Sequence, residues 1–422
     1  MNITFTEAVL FSAYFILLFL AIFWMLVFLS SNQHQAKKKK MASYPFFTAI
    51  VPALNEQSTI QSTLQSLLEL DYPIDRMEII VSINGSSDNT SSVVEQFIQR
   101  HPQRNIFLIN HPRANKGAAL NRALKQARGE FFACLDADSF IHPDALREML
   151  PYFAADPDVA AVCPLMKVKS PQTVLQKIQW YEYIINMFYK FLNSQLDAVH
   201  VTPGPFSVYK TAVIKKIGWY DEQTITEDLE IAIRLQKYHY RIIQTFDALV
   251  ETTAPDTWKA LFRQRVRWYK GSVDNSLRYR ELIFNQRYGD FGMIRMPTII
   301  LSGVLAIIIL FTFLKELLLN LFHWLASLQA INFDYLAVLK SYTFQINILS
   351  LPFFKITIVL TLVSLSFLAM VCSYKLVKED IRNHGRTLVS LVTYLSIYSV
   401  FMTIVWVYIA ALFLARKRNR WS

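Results

Sequence analysis

Between residues 45 and 138 the apolar positions fall into short runs separated by amphipathic stretches. PFFTAIVPAL reads as a β-strand, EQSTIQSTLQSLLEL as a helix, and MEIIVSING as a second strand closed by a glycine turn. SSDNTSSVVEQFIQRH opens a helix with Ser, Asp and Asn available as caps; NIFLIN is a third strand, GAALNRALKQARG a helix and FFACLDAD a fourth strand. Strands alternating with helices predict a parallel sheet with right-handed crossovers, a doubly wound α/β fold. Such sheets place ligands beyond the carboxyl ends of their strands. Here every such end carries polar groups: Asn55 and Glu56 after the first, Asn84 and Gly85 after the second, residues 110–116 after the third, Asp136 and Asp138 after the fourth.

Elsewhere the apolar pattern is continuous. Windows 9–29, 296–314 and 388–414 are nearly free of charge, and 356–372 is slightly shorter. A helix of about 20 residues, rising about 1.5 Å per residue, crosses a hydrocarbon core of about 30 Å, so each window suits a membrane span. The first window has a long apolar run, no charged segment before it and a Lys run behind it, which reads as a retained anchor and not a signal peptide. The expected organisation is a transmembrane helix in 1–32 and a cytosolic domain at 43–290 with an interfacial segment near 258–275. A C-terminal transmembrane region at 291–415 with three or four spans and a basic tail at 416–422 complete it. Segment 318–350 is apolar and aromatic but broken by His323, Asp334 and Lys340. It reads as an external loop, an interfacial helix or an extra span, and the side of the C-terminus changes with the choice.

Composition agrees. The 422 residues are 53% hydrophobic and only 18% charged, with a mean hydropathy of +0.26, more apolar matter than an aqueous core needs. The net charge of +11 invites a nucleic-acid partner, but much of the excess flanks the spans: Lys37, Lys38, Lys39 and Lys40 after the first, and Arg416, Lys417, Arg418 and Arg420 after the last. That is the positive-inside pattern with attraction to anionic headgroups, so the partner it indicates is a lipid membrane and not nucleic acid. The Lys run puts the 43–290 domain in the cytoplasm of a multi-pass cell-membrane protein. Cys134, Cys163 and Cys372 are scattered and odd in number, which suits reduced thiols.

Several polar groups carry candidate chemistry. Asp136 and Asp138 can both face a ligand once the chain leaves the pleat, offering hard oxygens to Mg2+ or Mn2+ and through it to a diphosphate. A helix cap beside a solvated carboxylate is the alternative. In TITEDLE, Glu227 and Asp228 repel each other, which can fit one of them to accept a proton; Thr226 followed by acids is equally a helix start. FRQRVRWYKG combines the guanidinium forks of Arg265 and Arg267, the flat face of Trp268 and the amide of Gln264, a set suited to diphosphate and sugar, or to a membrane surface. Lys116 precedes a helix start where a cation and backbone amides could hold phosphate. Gly204 stands between Pro203 and Pro205 in a rigid turn able to approach a ligand closely. His142, His200 and His239 have no metal-ligand spacing.

The ordered set VPALNE, SINGSSDNT, NKGAALN, LDADS, TPGPFSVY, TED and QRVRW, followed by membrane windows, resembles the processive membrane-bound family 2 glycosyltransferases. These include the cellulose, hyaluronan, chitin-oligosaccharide and poly-N-acetylglucosamine synthases. The resemblance implies a GT-A-like domain, a UDP-GlcNAc or UDP-Glc type of donor, inverting transfer and a β-linked extracellular polysaccharide. A glycan or lipid-linked acceptor and a small membrane subunit are the implied partners. It implies Asp228 as general base with Glu227 beside it, and Asp136 and Asp138 as ligands of Mg2+ or Mn2+. Ala53, Asn55, Glu56, Asn84, Lys116 and Asp136 would surround the donor nucleotide, and Gln264, Arg267 and Trp268 would hold the diphosphate and the acceptor end. Two departures stand out. Ile83 and Asn84 occupy the place where relatives usually carry an acidic residue for the nucleobase, and TPGPFSVY is closer to the hyaluronan-type enzymes. Single-sugar transfer to a lipid-linked acceptor, and an inactive transport or scaffold role, are the competing readings.

Overall fold

The structure, a computed structural model, describes residues 5–31, 38–39, 41–112, 115–330, 353–379 and 387–415. Lys37, Lys40, segment 331–350, residues 380–386 and the basic tail 416–422 lie outside them. Contacts gather the chain into two compact units, Met1–Leu26 with Leu301–Met370, and Val27–Ile300 with Val371–Ser422.

The second unit holds an eight-stranded sheet. Its strands are β1 Phe47–Ala53, β2 Met77–Asn84, β3 Ile106–His111, β4 Phe131–Cys134, β5 Ser139–Ile141, β6 Val159–Val168, β7 Val208–Lys210 and β8 Arg241–Thr252, in the order β3-β2-β1-β4-β7-β6-β8-β5. Helices α2 Ile60–Leu68, α3 Thr90–Arg100, α4 Lys116–Gln126, α5 Ala145–Ala155, α6 Val174–Gln195, α7 Thr211–Lys216, α8 Glu227–Lys237 and α9 Trp258–Arg278 follow α1, Phe5–Ser31. Side chains alternate across the sheet. Phe47, Ala49, Val51, Ile79 and Val81 pack with Ile60 and Leu64 of α2 and Val94 and Phe97 of α3. Ile50, Ile80 and Phe132 pack on the other face with Leu120 and Leu124 of α4 and Ile231 of α8. Burial on both faces explains why FTAIVPA and MEIIVSIN read as near-continuous apolar runs.

The expected parallel arrangement covers β3-β2-β1-β4. Beyond β4 the sheet is mixed: β7 runs antiparallel to both β4 and β6, β5 runs antiparallel to β8, and β6 and β8 are parallel. A local strand–helix rhythm signals crossovers; the direction of strands joined by longer connections has no comparable local signal.

At the strand ends opposite the polar edge, the buried Glu78 carboxylate accepts from Thr48 Oγ1 at 2.7 Å and from Arg128 N and Nε, each at 2.8 Å. Glu78→Ala strands the buried Thr48 hydroxyl and an amide, at about 1–3 kcal/mol for such a group. The expected result is a lowered Tm, read by thermal unfolding.

Among the described residues four helical stretches are long and apolar enough to cross a membrane: Glu7–Ser31, Phe291–Ala330, Ile356–Val377 and Val389–Leu414. In the first unit, α1 meets the helix Phe353–Val377 where the rings of Phe11 and Phe354 lie 5.5 Å apart. The helix Met296–Ala330 runs on past 318, so the first part of the undecided segment is helical.

Candidate active site

The carboxyl ends of β1 and β2 are laced together before any ligand arrives. Asn55 takes a left-handed φ of 58°, which Asn tolerates better than most residues, and this turns its amide to Ser86 Oγ at 3.0 Å. Its Oδ1 accepts from Ser87 N at 2.8 Å. Glu56 N donates to Thr90 Oγ1 at 2.9 Å, and Gln57 N to Asp88 Oδ2 at 3.2 Å. Ala53 and Ile83 pair across the ladder, with Asn84 buried one residue beyond.

Lys116 stands at the centre. Asn115 caps α4, its Oδ1 accepting from Ala118 N at 2.8 Å, and this fixes Lys116 as the first helical residue. The Lys116 Nζ lies 2.6 Å from Asp136 Oδ1 and 3.0 Å from Glu227 Oε1. Burial works against the ammonium, but those two carboxylates outweigh it and hold Lys116 well above the ordinary lysine value. Three motifs far apart in the chain therefore meet on one cation.

Gly204 packs against that pair. A Cβ built there would lie 2.9 Å from Asp136 Oδ2 and 3.1 Å from Lys116 Nζ. The segment around it is pinned at both ends: Thr202 N and Oγ1 donate to the Asp228 carbonyl at 3.2 and 2.8 Å, and Phe206 N donates to Cys134 O at 2.6 Å. The rigid turn thus bridges the end of β4 and the start of α8.

Asp228, the second residue of α8, is partly buried, and its Oδ1 accepts from Leu229 N at 2.9 Å. Burial first, then the Glu227 and Asp136 charges, raises its pKa to about 6 against the opposing pull of Lys116 and Arg267. That value suits a group that must take up a proton near neutrality. Asp138 is likewise pushed up to about 6, by burial and then by Asp136 and Glu56. Burial also raises Glu56, aided by Asp136 and Asp88 and opposed by the hydrogen bond from Thr59.

Negative charge thus accumulates where Glu56, Asp136 and Asp138 face one another, and their hard oxygens fit Mg2+ or Mn2+. Among the described residues no three His, Cys, Asp or Glu side chains converge to hold a metal by themselves. An ion on Asp136 and Asp138 would therefore complete its shell with water or ligand oxygens, as Mg2+ commonly does beside phosphates.

Arg267, on α9, is exposed, and its charge bears on Asp228. Gln264 and Trp268 of the same helix gather on Arg265, whose guanidinium, expected to face a diphosphate, is fully buried against Glu182 instead. His200 meets Arg295 Nη2 at 2.8 Å and is held well below the usual histidine value by burial and then Arg295. A separate open groove of about 440 Å3, between α2 and β5, is lined by Gln65, Phe140, His142, Lys169 and Glu251 and contains none of the motif residues.

Residues 48–218 match the family described as Glycosyl transferase family 2. That stretch resembles a family 2 glycosyltransferase domain. The matched stretch includes Lys116, Asp136, Asp138 and Gly204 and stops short of Glu227 and Asp228. The chain is 36% identical over 232 residues to a poly-beta-1,6-N-acetyl-D-glucosamine synthase of Staphylococcus epidermidis, covering 54% of this chain and 55% of the relative. It is 33% identical over 235 residues to the enzyme of the same description from Staphylococcus aureus strain COL, covering 55% of each. The chain thus spans about half the length of the curated relatives it matches. A mannosyltransferase from Pyrobaculum calidifontis, solved with GDP-Man and Mn2+, shares the fold with a TM-score of 0.57 at 20% identity, over 93% of this chain and 98% of that one.

Proposed function

We propose that this protein transfers N-acetylglucosamine from UDP-GlcNAc, with inversion, onto the end of a growing β-linked polysaccharide at the membrane. The supporting observation is the single cluster in which Lys116 joins Asp136 to Glu227 beside an Asp228 of raised pKa. The names of the relatives, poly-beta-1,6-N-acetyl-D-glucosamine synthases, support the sugar and the polymer.

In this reading the Asp228 carboxylate takes the proton of the acceptor hydroxyl. The freed oxygen attacks the anomeric carbon from the face opposite the diphosphate, the C–O bond to the diphosphate breaks, and its electron pair leaves with UDP. One displacement inverts the anomeric carbon. A divalent cation, when bound, supplies Lewis acidity toward the departing diphosphate, and Asp136 and Asp138 would hold it. Lys116 shares its charge between Asp136, Glu227 and the donor phosphates, and Arg267 screens the negative charge around Asp228. Gln264 and Trp268 hold the acceptor end, the ring offering a flat face to a sugar. Asn84 and the laced β1 and β2 ends receive the nucleoside. The Lys run after α1 supports a domain on the cytoplasmic side, with the apolar helices carrying product outward.

Purified full-length protein given labelled UDP-GlcNAc and Mn2+ should yield a ladder or a high polymer on sizing; a product that stops at one added sugar overturns the polymerase reading. EDTA should abolish turnover, and Asp138→Ala should raise the Mn2+ concentration for half-maximal rate roughly 10–100-fold, the range seen when a metal site loses support. Turnover that is insensitive to EDTA would remove the metal from the reaction.

A further inference from the structure

Arg265 is fully buried, whereas three of its four neighbours in QRVRW, namely Gln264, Arg267 and Trp268, are the residues that the family resemblance assigns to diphosphate and acceptor. Its guanidinium forks onto the buried Glu182 of α6: Nε lies 3.1 Å from Oε1, and Nη2 donates to Oε2. Nε is also 3.1 Å from the hydroxyl of Tyr398, in the π-helical turn Tyr394–Tyr398 of the C-terminal membrane segment. Nη1 donates to Gln264 Oε1. The flat face of the same group lies 4.3 Å from the centre of the Trp268 ring.

Gln264 and Trp268 are one helical turn apart on α9, so both reach the same side. A long side chain between them that served only to fasten α9 to α6 would need neither. Nor does stability account for it, because a buried ion pair returns little net free energy against its desolvation and an apolar replacement is often as stable. What the planar fork supplies, and an apolar pair cannot, is fixed direction: bidentate donation to Glu182 sets the guanidinium plane, and the plane sets Gln264 through Nη1 and Trp268 through stacking.

We propose that Arg265 is a positioning residue for acceptor binding, its ion pair with Glu182 holding the Gln264 amide and the Trp268 ring in the orientation that receives the sugar chain. This rests on the reading of Gln264 and Trp268 as acceptor contacts. Arg265 touches neither donor nor acceptor and acts only through those two side chains. Lysine keeps the charge but loses both the fork and the flat face, so it separates orientation from electrostatics. Glu182→Gln tests the other half: it keeps the shape and removes the charge that aligns the fork.

The experiment uses the full chain in nanodiscs with UDP-GlcNAc, Mn2+ and a β-1,6-linked N-acetylglucosamine tetrasaccharide as acceptor. Arg265→Lys is expected to raise acceptor KM about tenfold, as for a lost charge-assisted hydrogen bond, with donor KM within about twofold. Glu182→Gln should move acceptor KM in the same direction by less. With 5-fluorotryptophan incorporated at the eight Trp, and the Trp268 resonance assigned by Trp268→Phe, that 19F line should shift in Arg265→Lys while the others stay. A variant that elutes as wild type but shows an unchanged Trp268 line and unchanged acceptor KM overturns the proposal, as does a fall in kcat alone. Should Arg265→Lys misfold, Glu182→Gln decides by the same two readouts. Unchanged acceptor KM in Trp268→Ala and Gln264→Ala overturns the acceptor reading and this inference with it; raised KM there with an unaltered Arg265→Lys overturns the inference alone.

Discussion

Replacing Asp228 with Asn is expected to lower kcat about 10²- to 10⁴-fold, the usual contribution of a positioned general base, while UDP affinity stays within about twofold. The substitution is close to isosteric. An Asn Oδ1 can still accept from Leu229 N as Asp228 does at 2.9 Å, and the Asp228 carbonyl, which receives Thr202 N and Oγ1, is unaltered. What is lost is the carboxylate's negative charge and with it the capacity to take a proton. In the wild-type protein the same group should define the acid limb of the rate profile. Below its pKa Asp228 is protonated and cannot accept, so turnover falls as pH falls through that value. Burial, Glu227 and Asp136 raise it to about 6, so the limb should lie near pH 6 and not near the value of about 4 for an unperturbed Asp. Arg267→Gln removes a cation that lowers the pKa, and should move the limb to higher pH. A wild-type limb near pH 4, or an Asp228→Asn variant with wild-type kcat, would refute the base assignment.

How much of this was legible in the sequence depends on distance along the chain. β1 to β4 and their crossover helices follow from hydrophobic period and strand length, both local properties. Helix starts are less regular: Ser, Asp and Asn were all candidate caps for α3, and it is Asp88 that accepts from Thr90 N, at 3.1 Å. The antiparallel partners of β4 and β8 depend on where distant segments return, and no local signal reports that. The site behaves the same way. The strand-end rule gathered Asn55, Asn84, Lys116, Asp136 and Asp138 on one edge, because chain direction alone decides which end of a parallel strand faces the ligand. It could not show that Lys116 bridges Asp136 and Glu227, since a salt bridge between two motifs leaves no periodicity in either. The burial of Arg265, expected beside Arg267 as a diphosphate fork, was hidden for the same reason. Its partners Glu182 and Tyr398 lie 83 and 133 residues away, whereas Gln264 and Trp268, both within one turn, are its visible neighbours.

Gly204→Ala should cost activity without costing the fold. The added Cβ would meet Asp136 Oδ2 at 2.9 Å and Lys116 Nζ at 3.1 Å, both ends of movable side chains. Thr202 and Phe206 are tied to Asp228 O and Cys134 O, so the turn cannot retreat and the side chains must yield. Asp136 then leaves the position from which it would serve the metal and Lys116. A misplacement on the order of 1 Å at such a group costs about 100-fold, so kcat/KM for UDP-GlcNAc should fall roughly 10–100-fold, with Tm within about 3 °C of wild type. Gly271→Ala sets the contrast. There the Cβ would lie 2.3 Å from Oγ1 and 2.5 Å from Cγ2 of the buried Thr226, a stiff β-branched side chain that cannot swing aside. Overpacking of that kind costs about 1–3 kcal/mol, so Gly271→Ala should lower Tm. Equal Tm losses in the two variants, or a Gly204→Ala enzyme with wild-type kcat/KM, would mean that the approach of Gly204 to the Lys116–Asp136 pair does not govern donor binding.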